Sequence, residues 1–344
     1  MNKTGVLNIR KEKNYTSHDV VAIIRRLTGG KTGHTGTLDP DAMGVLPICL
    51  GRATKLADYL SAEDKTYVAE IVLGITTDTG DISGEILSQK DADIKLEQLQ
   101  EVAESFLYEK RGEYLQTPPM YSAVKIGGKK LYELARKGET IERPARPVKI
   151  LDIKIVSGFE TYTEPNAHLI DEKRLCRCRF EVTCSKGTYI RSLCMDIGEV
   201  LGCGATMGEL TRTRSGSFHI DNSFTLAEVK SAVEEGRLGE LILRVDEILP
   251  YPVFRIKPEG LARARNGNPI PFELVEEVAL RREPRDLAFD DAEAIQSITE
   301  ELRARDDWGK VDGRYWLYSA VDNKLMGLYS FSSKKGNFCL EVLF

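Results

Sequence analysis

The stretch Cys176–Cys184, CRCRFEVTC, limits the fold more than any other. Cys176, Cys178, Phe180, Val182 and Cys184 alternate with Arg177, Arg179, Glu181 and Thr183. That period of two becomes one apolar and one wet face only in a β-strand. A strand of this kind belongs to a sheet with one side covered, an arrangement that antiparallel sheets tolerate. Leu151, Ile153 and Ile155 alternate with Asp152 and Lys154 and predict a second half-buried strand. Residues 6–9 and 67–75 read as further strands.

Helical spacing appears between them. Val20, Val21, Ile24 and Leu27 recur at helical intervals behind the N-cap candidates Thr16 and Ser17, and Gly29-Gly30 stops the pattern. Residues 53–60, 96–107, 130–137 and 188–201 read as further helices, the third preceded by a hairpin turning at Gly127-Gly128. Strands and helices mix without regular βαβ alternation, which predicts an α+β domain with a mixed, largely antiparallel sheet flanked by helices. Two prolines in Ile248-Leu249-Pro250-Tyr251-Pro252 mark a linker. The expected division is 1–248 and 252–344, the second part small and β-rich, with strands near 315–321, 325–330 and 338–344. Asp322-Asn323 and Lys335-Gly336 supply its turns, and a charged interlude at 283–307 reads as an insertion. The stretch 159–173 reads as a long hairpin loop.

Charge narrows the partners. The chain of 344 residues has a net charge of −5, yet residues 1–60 carry nine Lys/Arg against five Asp/Glu, and residues 121–150 eight against three. Two basic patches on an acidic body suit a confined polyanion site. The seven cysteines form no CxxC pair and the four histidines lack metal-ligand spacing, so core thiols in a reducing cytoplasm are expected, with no metal. No apolar run approaches the roughly 18 residues of a membrane span, and the N-terminus lacks a signal-peptide core. P-loop, GxSxG and GxGxxG signatures are absent.

Four dense segments remain: GHTGTLDPDAMGVLPICLGRATK, KTYVAEIVLGITTDTGDISG, TPPMYSAVKIGGKKLYELARKG and CSKGTYIRSLCMDIGEVLGCGATMGELTRTRSGSF. In the first, Asp39 and Asp41 flank Pro40. Taken alone, Leu-Asp-Pro is a turn. Together and in this order, the four resemble the signature segments of the TruB family of tRNA pseudouridine synthases across roughly residues 5–245. The resemblance implies the pseudouridine synthase fold, a divergent PUA-like RNA-binding domain at the C-terminus, and conversion of a T-loop uridine of tRNA (position 55) to pseudouridine without cofactor. A monomer is expected.

By the same resemblance Asp39 is the catalytic aspartate, Arg191 its arginine partner and Tyr67 the tyrosine against the target base. Leu210 lines the base pocket, and His34 fills the space left by the flipped nucleotide. Three roles are open to Asp39: attack at C6 of the base, attack at C1′ of the ribose, or assistance in removing the C2′ proton. Lys11, Lys31, Lys125, Lys130, Tyr132, Arg136, Lys186 and Tyr189 are candidate RNA contacts, and Asp41 is assigned to a solvated turn. The family's Asp-Lys-Pro-x-Gly-x-Thr-Ser becomes RKEKNYTS here, with Glu12 for Pro and Asn14 for Gly. Two other readings compete: a non-catalytic T-loop-binding chaperone, and the guide-RNA particle relative, whose flanking extensions are not evident.

Overall fold

The computed structural model describes residues 4–122, 124–135, 137–139, 141–161, 175–249, 251–277 and 312–344. The charged interlude at 283–307 and most of the 159–173 loop lie outside them.

The Cys176–Cys184 strand forms over the predicted residues and sits inside the larger sheet. The order of the main strands is Gly5–Lys11, Met43–Leu50, Ala205–Ser215, Lys65–Leu73, Cys176–Cys184, Ile150–Ile155. All neighbours pair antiparallel except Ala205–Ser215 with Met43–Leu50, which run parallel. The sheet is therefore mixed and largely antiparallel. Cys178, Phe180, Val182 and Cys184 point into the main core, which the helices Ser17–Thr28, Leu96–Glu104 and Ile190–Leu201 cover.

Local chemistry sets the boundaries. Thr16 and Asp19 form a reciprocal capping box at the start of the first helix, and Gly29 ends it in the left-handed region at φ 71°. Gly127 and Gly128 both have positive φ, as a two-residue hairpin turn with matching twist requires. The 53–60 segment differs from a single helix: a 3-10 turn, Gly51–Leu56, runs into a short α-helix, Ala57–Ser61. The alternation expected at 151–155 holds for Ile153 and Ile155, which pack in and against the main core, but not for Leu151. A bulge between Ile150 and Asp152 shifts the register, burying Ile150 and leaving Leu151 exposed.

The second sheet is built from Asn337–Leu343, Leu325–Ser332, Gly313–Ser319 and Val253–Ile256, with short strands at either edge. Asn323 and Gly336 supply the positive φ of its two turns. Rings of Phe254, Phe272, Tyr315, Phe331 and Phe338 fill one face. Its other face does not hang free. Trp316, Leu328 and Val342 share a core with Val6, Val45, Cys49, Ala53 and Leu56 of the larger sheet and its adjoining turn. Trp316 is fully buried and its indole N–H donates to the Leu249 carbonyl at 2.8 Å.

Trp316→Ala is therefore expected to cost about 3–5 kcal/mol of unfolding free energy, the usual range for deleting a buried indole. Chemical denaturation checks it. A loss below about 1 kcal/mol would show that this shared core contributes little.

Candidate active site

The Leu-Asp-Pro turn is pinned on both sides of its aspartate. Upstream, the Leu38 side chain is buried, and Ser17 Oγ both accepts from Leu38 N–H at 2.9 Å and donates to its carbonyl at 3.1 Å. Downstream, the Pro40 carbonyl accepts from Lys11 Nζ at 2.9 Å and from Asn14 N–H at 3.0 Å. Asn14 takes φ 68°, the left-handed region that Asn tolerates, so Asn14 occupies that turn without a glycine. Between these anchors the Asp39 side chain stays 46% exposed.

Lys11 was expected to meet RNA; its position corrects that. The residue is fully buried, and its ammonium donates to the carbonyls of Glu12, Tyr15 and Pro40 at 2.7–3.0 Å. Three donors meet three acceptors, leaving nothing for a phosphate. Burial pushes its pKa down to about 8, against the opposing pull of Asp41 and Asp39.

Arg191 projects from the first turn of the Ile190–Leu201 helix and is only 6% exposed in its side chain. Its Nη2 lies 2.9 Å from Asp39 Oδ2 and also donates to the Tyr121 carbonyl at 2.8 Å. Its Nη1 lies 3.6 Å from Asp81 Oδ2 and donates to the Thr79 carbonyl at 3.3 Å. A buried guanidinium is thus met by two carboxylates and two carbonyls, the condition under which burying it is tolerable.

Tyr67 lies on the Lys65–Leu73 strand, opposite Arg212 and Val182 in the neighbouring strands. It packs in the main core with Leu38 and Leu210. Burial raises the Tyr67 phenol well above its usual range, with Arg212 opposing, so it stays protonated at neutral pH. His34 is half-buried, and its Nδ1 accepts from Gly36 N–H at 3.2 Å. Burial lowers its pKa, helped by His18, whose ring lies 5.5 Å away, and by Arg212. The ring is consequently neutral at pH 7.

Among the RNA candidates, Lys31, Lys125 and Lys186 are exposed, while Tyr132 and Tyr189 are half-buried. The Lys130 side chain and Arg136 lie outside the described residues. Among the described residues no cluster of His, Cys, Asp or Glu is arranged to hold a metal ion, and no helix is long and apolar enough to cross a membrane.

The sequence reading missed two residues. Arg212, 2% exposed, donates to the carbonyls of Val45 at 2.7 Å and Gly36 at 3.2 Å, gripping the active loop from below. It follows Leu210 by two on one strand, so a charge falling on the apolar face was the available signal. Gly44, at φ 105°, lets the strands approach there: a Cβ would sit 2.1 Å from the Arg212 carbonyl oxygen. Asp81 was quoted only as part of a turn, and no local pattern marks its partner.

Comparison with known proteins follows the same outline. Residues 25–190 match the family model "TruB family pseudouridylate synthase (N terminal domain)", and residues 191–250 match "tRNA pseudouridylate synthase B C-terminal domain". A tRNA pseudouridine synthase B of Alkaliphilus oremlandii is 51% identical over 77% of this chain and 82% of its own length. One from Halalkalibacterium halodurans is 43% identical over 79% and 86%. The solved Cbf5-Nop10-Gar1 complex contains a chain of the same fold, with TM-score 0.63 and 25% identity over 99% of this chain and 84% of that one. The chain belongs to the TruB family of pseudouridine synthases.

Raising pH through about 8 deprotonates Lys11 and leaves two donors for three carbonyls. Turnover is expected to fall severalfold across that window as the Pro40 anchor loosens. Global stability should not fall with it. A lysine whose folded pKa lies below its unfolded value favours folding as it loses its proton between about 8 and 10.5. Parallel profiles of turnover and unfolding from pH 7 to 9.5 test both signs.

Proposed function

We propose that the enzyme isomerises uridine to pseudouridine at position 55 in the T-loop of tRNA, in the cytoplasm, with Asp39 as the reacting carboxylate and no cofactor. One observation carries this reading. A half-exposed carboxylate stands on a pinned turn, 2.9 Å from a buried guanidinium, beside a protonated buried tyrosine. A protein that only grips RNA gains nothing from a carboxylate presented to a polyanion. That weighs against the chaperone reading. Curated relatives at 43–51% identity carry the name tRNA pseudouridine synthase B, which supports tRNA as the substrate.

The chemistry asks for little machinery. The N1–C1′ bond breaks, the freed uracil turns in place, C5 bonds to C1′, and the proton lost from C5 is balanced by one gained at N1. The detached base must not escape, so a fixed carboxylate and an apolar pocket are needed together. Leu210 and Tyr67 form the apolar wall. Attack at C6, attack at C1′ and help in removing the C2′ proton all demand the same fixed acid, so the three remain alternatives for Asp39. Reaching the base requires flipping its nucleotide out, at a cost of a few kcal/mol of stacking. The neutral ring of His34 fills the vacated space and recovers part of it. Lys31, Lys125 and Lys186 are exposed and contact phosphates; Tyr189 contacts the loop.

Incubation with a tRNA transcript and no added cofactor tests the reading. Asp39→Asn should abolish T-loop pseudouridine while the dissociation constant changes less than about threefold, since phosphate contacts supply most of the affinity. Residual turnover above roughly a tenth of wild type would remove Asp39 from its assigned role; each tenfold corresponds to about 1.4 kcal/mol of barrier. Tight binding by the wild type with no product would establish the chaperone instead. His34→Ala should slow turnover less than Asp39→Asn does.

A further inference from the structure

The Ile190–Leu201 helix starts without a side-chain cap: Tyr189, its N-cap residue, makes no such bond. Yet Arg191 stands two residues further on, and its guanidinium must meet Asp39. Something else has to set the helix about its axis. Gln116, at the end of the short strand Tyr114–Gln116, is 2% exposed. Its Oε1 accepts from Tyr189 N–H at 2.7 Å, and its Nε2 donates to the Tyr189 carbonyl at 3.0 Å. The side-chain amide thus pairs with both polar edges of one residue, as a neighbouring strand would.

We infer that Gln116 is a positioning residue for the isomerisation: by clamping Tyr189 at both its N–H and its carbonyl, it sets the rotation of the helix and so the place of Arg191 against Asp39. This rests on the reading of Asp39 and Arg191 in the preceding subsection.

The contacts around it agree. Gln116 Nε2 also reaches Tyr114 Oη at 3.4 Å, and that hydroxyl is bonded to Asp196, two turns into the helix. Ser192 Oγ donates to the Thr117 carbonyl at 2.9 Å, and Arg191 itself donates to the Tyr121 carbonyl. Residues 114–121 are laced along the helix, with Gln116 holding its N-cap residue. A guanidinium about 8 Å from a helix axis moves by about 1.4 Å for a 10° rotation, given the radius of the backbone cylinder. Misplacement on the order of 1 Å can cost on the order of a hundredfold in rate. Small rotational slack at Tyr189 is therefore enough to matter.

The purely structural alternative is that Gln116 satisfies buried polar groups and nothing more. It predicts lost stability with no special link to Arg191. The two separate in a double-mutant cycle on the full chain, using single-turnover rates followed for hours and the dissociation constant of the same tRNA transcript. Gln116→Met keeps the volume and removes both bonds. It should slow the single-turnover rate about ten- to a hundredfold, with the dissociation constant changed less than about twofold. In an Arg191→Lys background, the same substitution should slow the rate by less than about threefold, because the group it positions is already gone. Equal fold-losses in the two backgrounds, or a loss confined to the dissociation constant, would overturn the assignment. Gln116→Glu still accepts from Tyr189 N–H but cannot donate to its carbonyl, and it provides the same cycle should the Met variant not fold. The cycle is read on whichever uridine the wild type converts, so an error in the T-loop assignment leaves it intact. Turnover that survives in Asp39→Asn counts against the preceding reading, not against this cycle.

Discussion

The guanidinium of Arg191 is the constraint on which the rest of the site depends. It is buried, and a buried cation without partners costs several kcal/mol. Three segments distant in sequence supply those partners to the helix that carries Arg191: the turn at Asp39, the Thr79–Asp81 turn and the chain at Tyr121. Each must arrive within hydrogen-bond reach for the charge to be tolerated. The fold around the cleft is thereby tied to one geometry, and Asp39 remains half-open to solvent at the point where they meet the helix.

Two further buried cations hold the turn itself. Lys11 closes it from the side of Pro40, and Arg212 holds Gly36 and Val45 from the neighbouring strand. Both spend their donors mainly on backbone carbonyls. A carbonyl is present whatever the side chain, so such bonds fix the path of a loop without restricting what its side chains do. The rigidity that Pro40 suggests in the sequence is in fact shared among three cations and one serine hydroxyl.

Much of the scaffold was legible because its local signals agree. The capping pair Thr16 and Asp19, the glycine stop at Gly29, the Gly127-Gly128 turn and the Cys176–Cys184 alternation each have a short-range cause. The failures share a cause as well. Alternation at 151–155 assumes an unbroken ladder, and a bulge at Leu151 is decided by the partner strand, not by the residues themselves. Lys11 was expected among the RNA contacts. Its burial under Pro40 depends on a turn 29 positions away.

The amino-acid order by itself determined where strands and helices form, the family to which the four dense segments point, and which residue types can do the chemistry. These follow from periodicity, caps and turns, whose energies act over a few residues. The family resemblance named Arg191 as the partner of Asp39, but no local signal does, since the two stand more than 150 positions apart in the chain. Only the tertiary structure brings them to 2.9 Å. Their pairing, the anchoring by Lys11 and Arg212, and the clamp of Gln116 on Tyr189 arise when distant segments are desolvated together, because a polar group removed from water must find its partner wherever the packing places one.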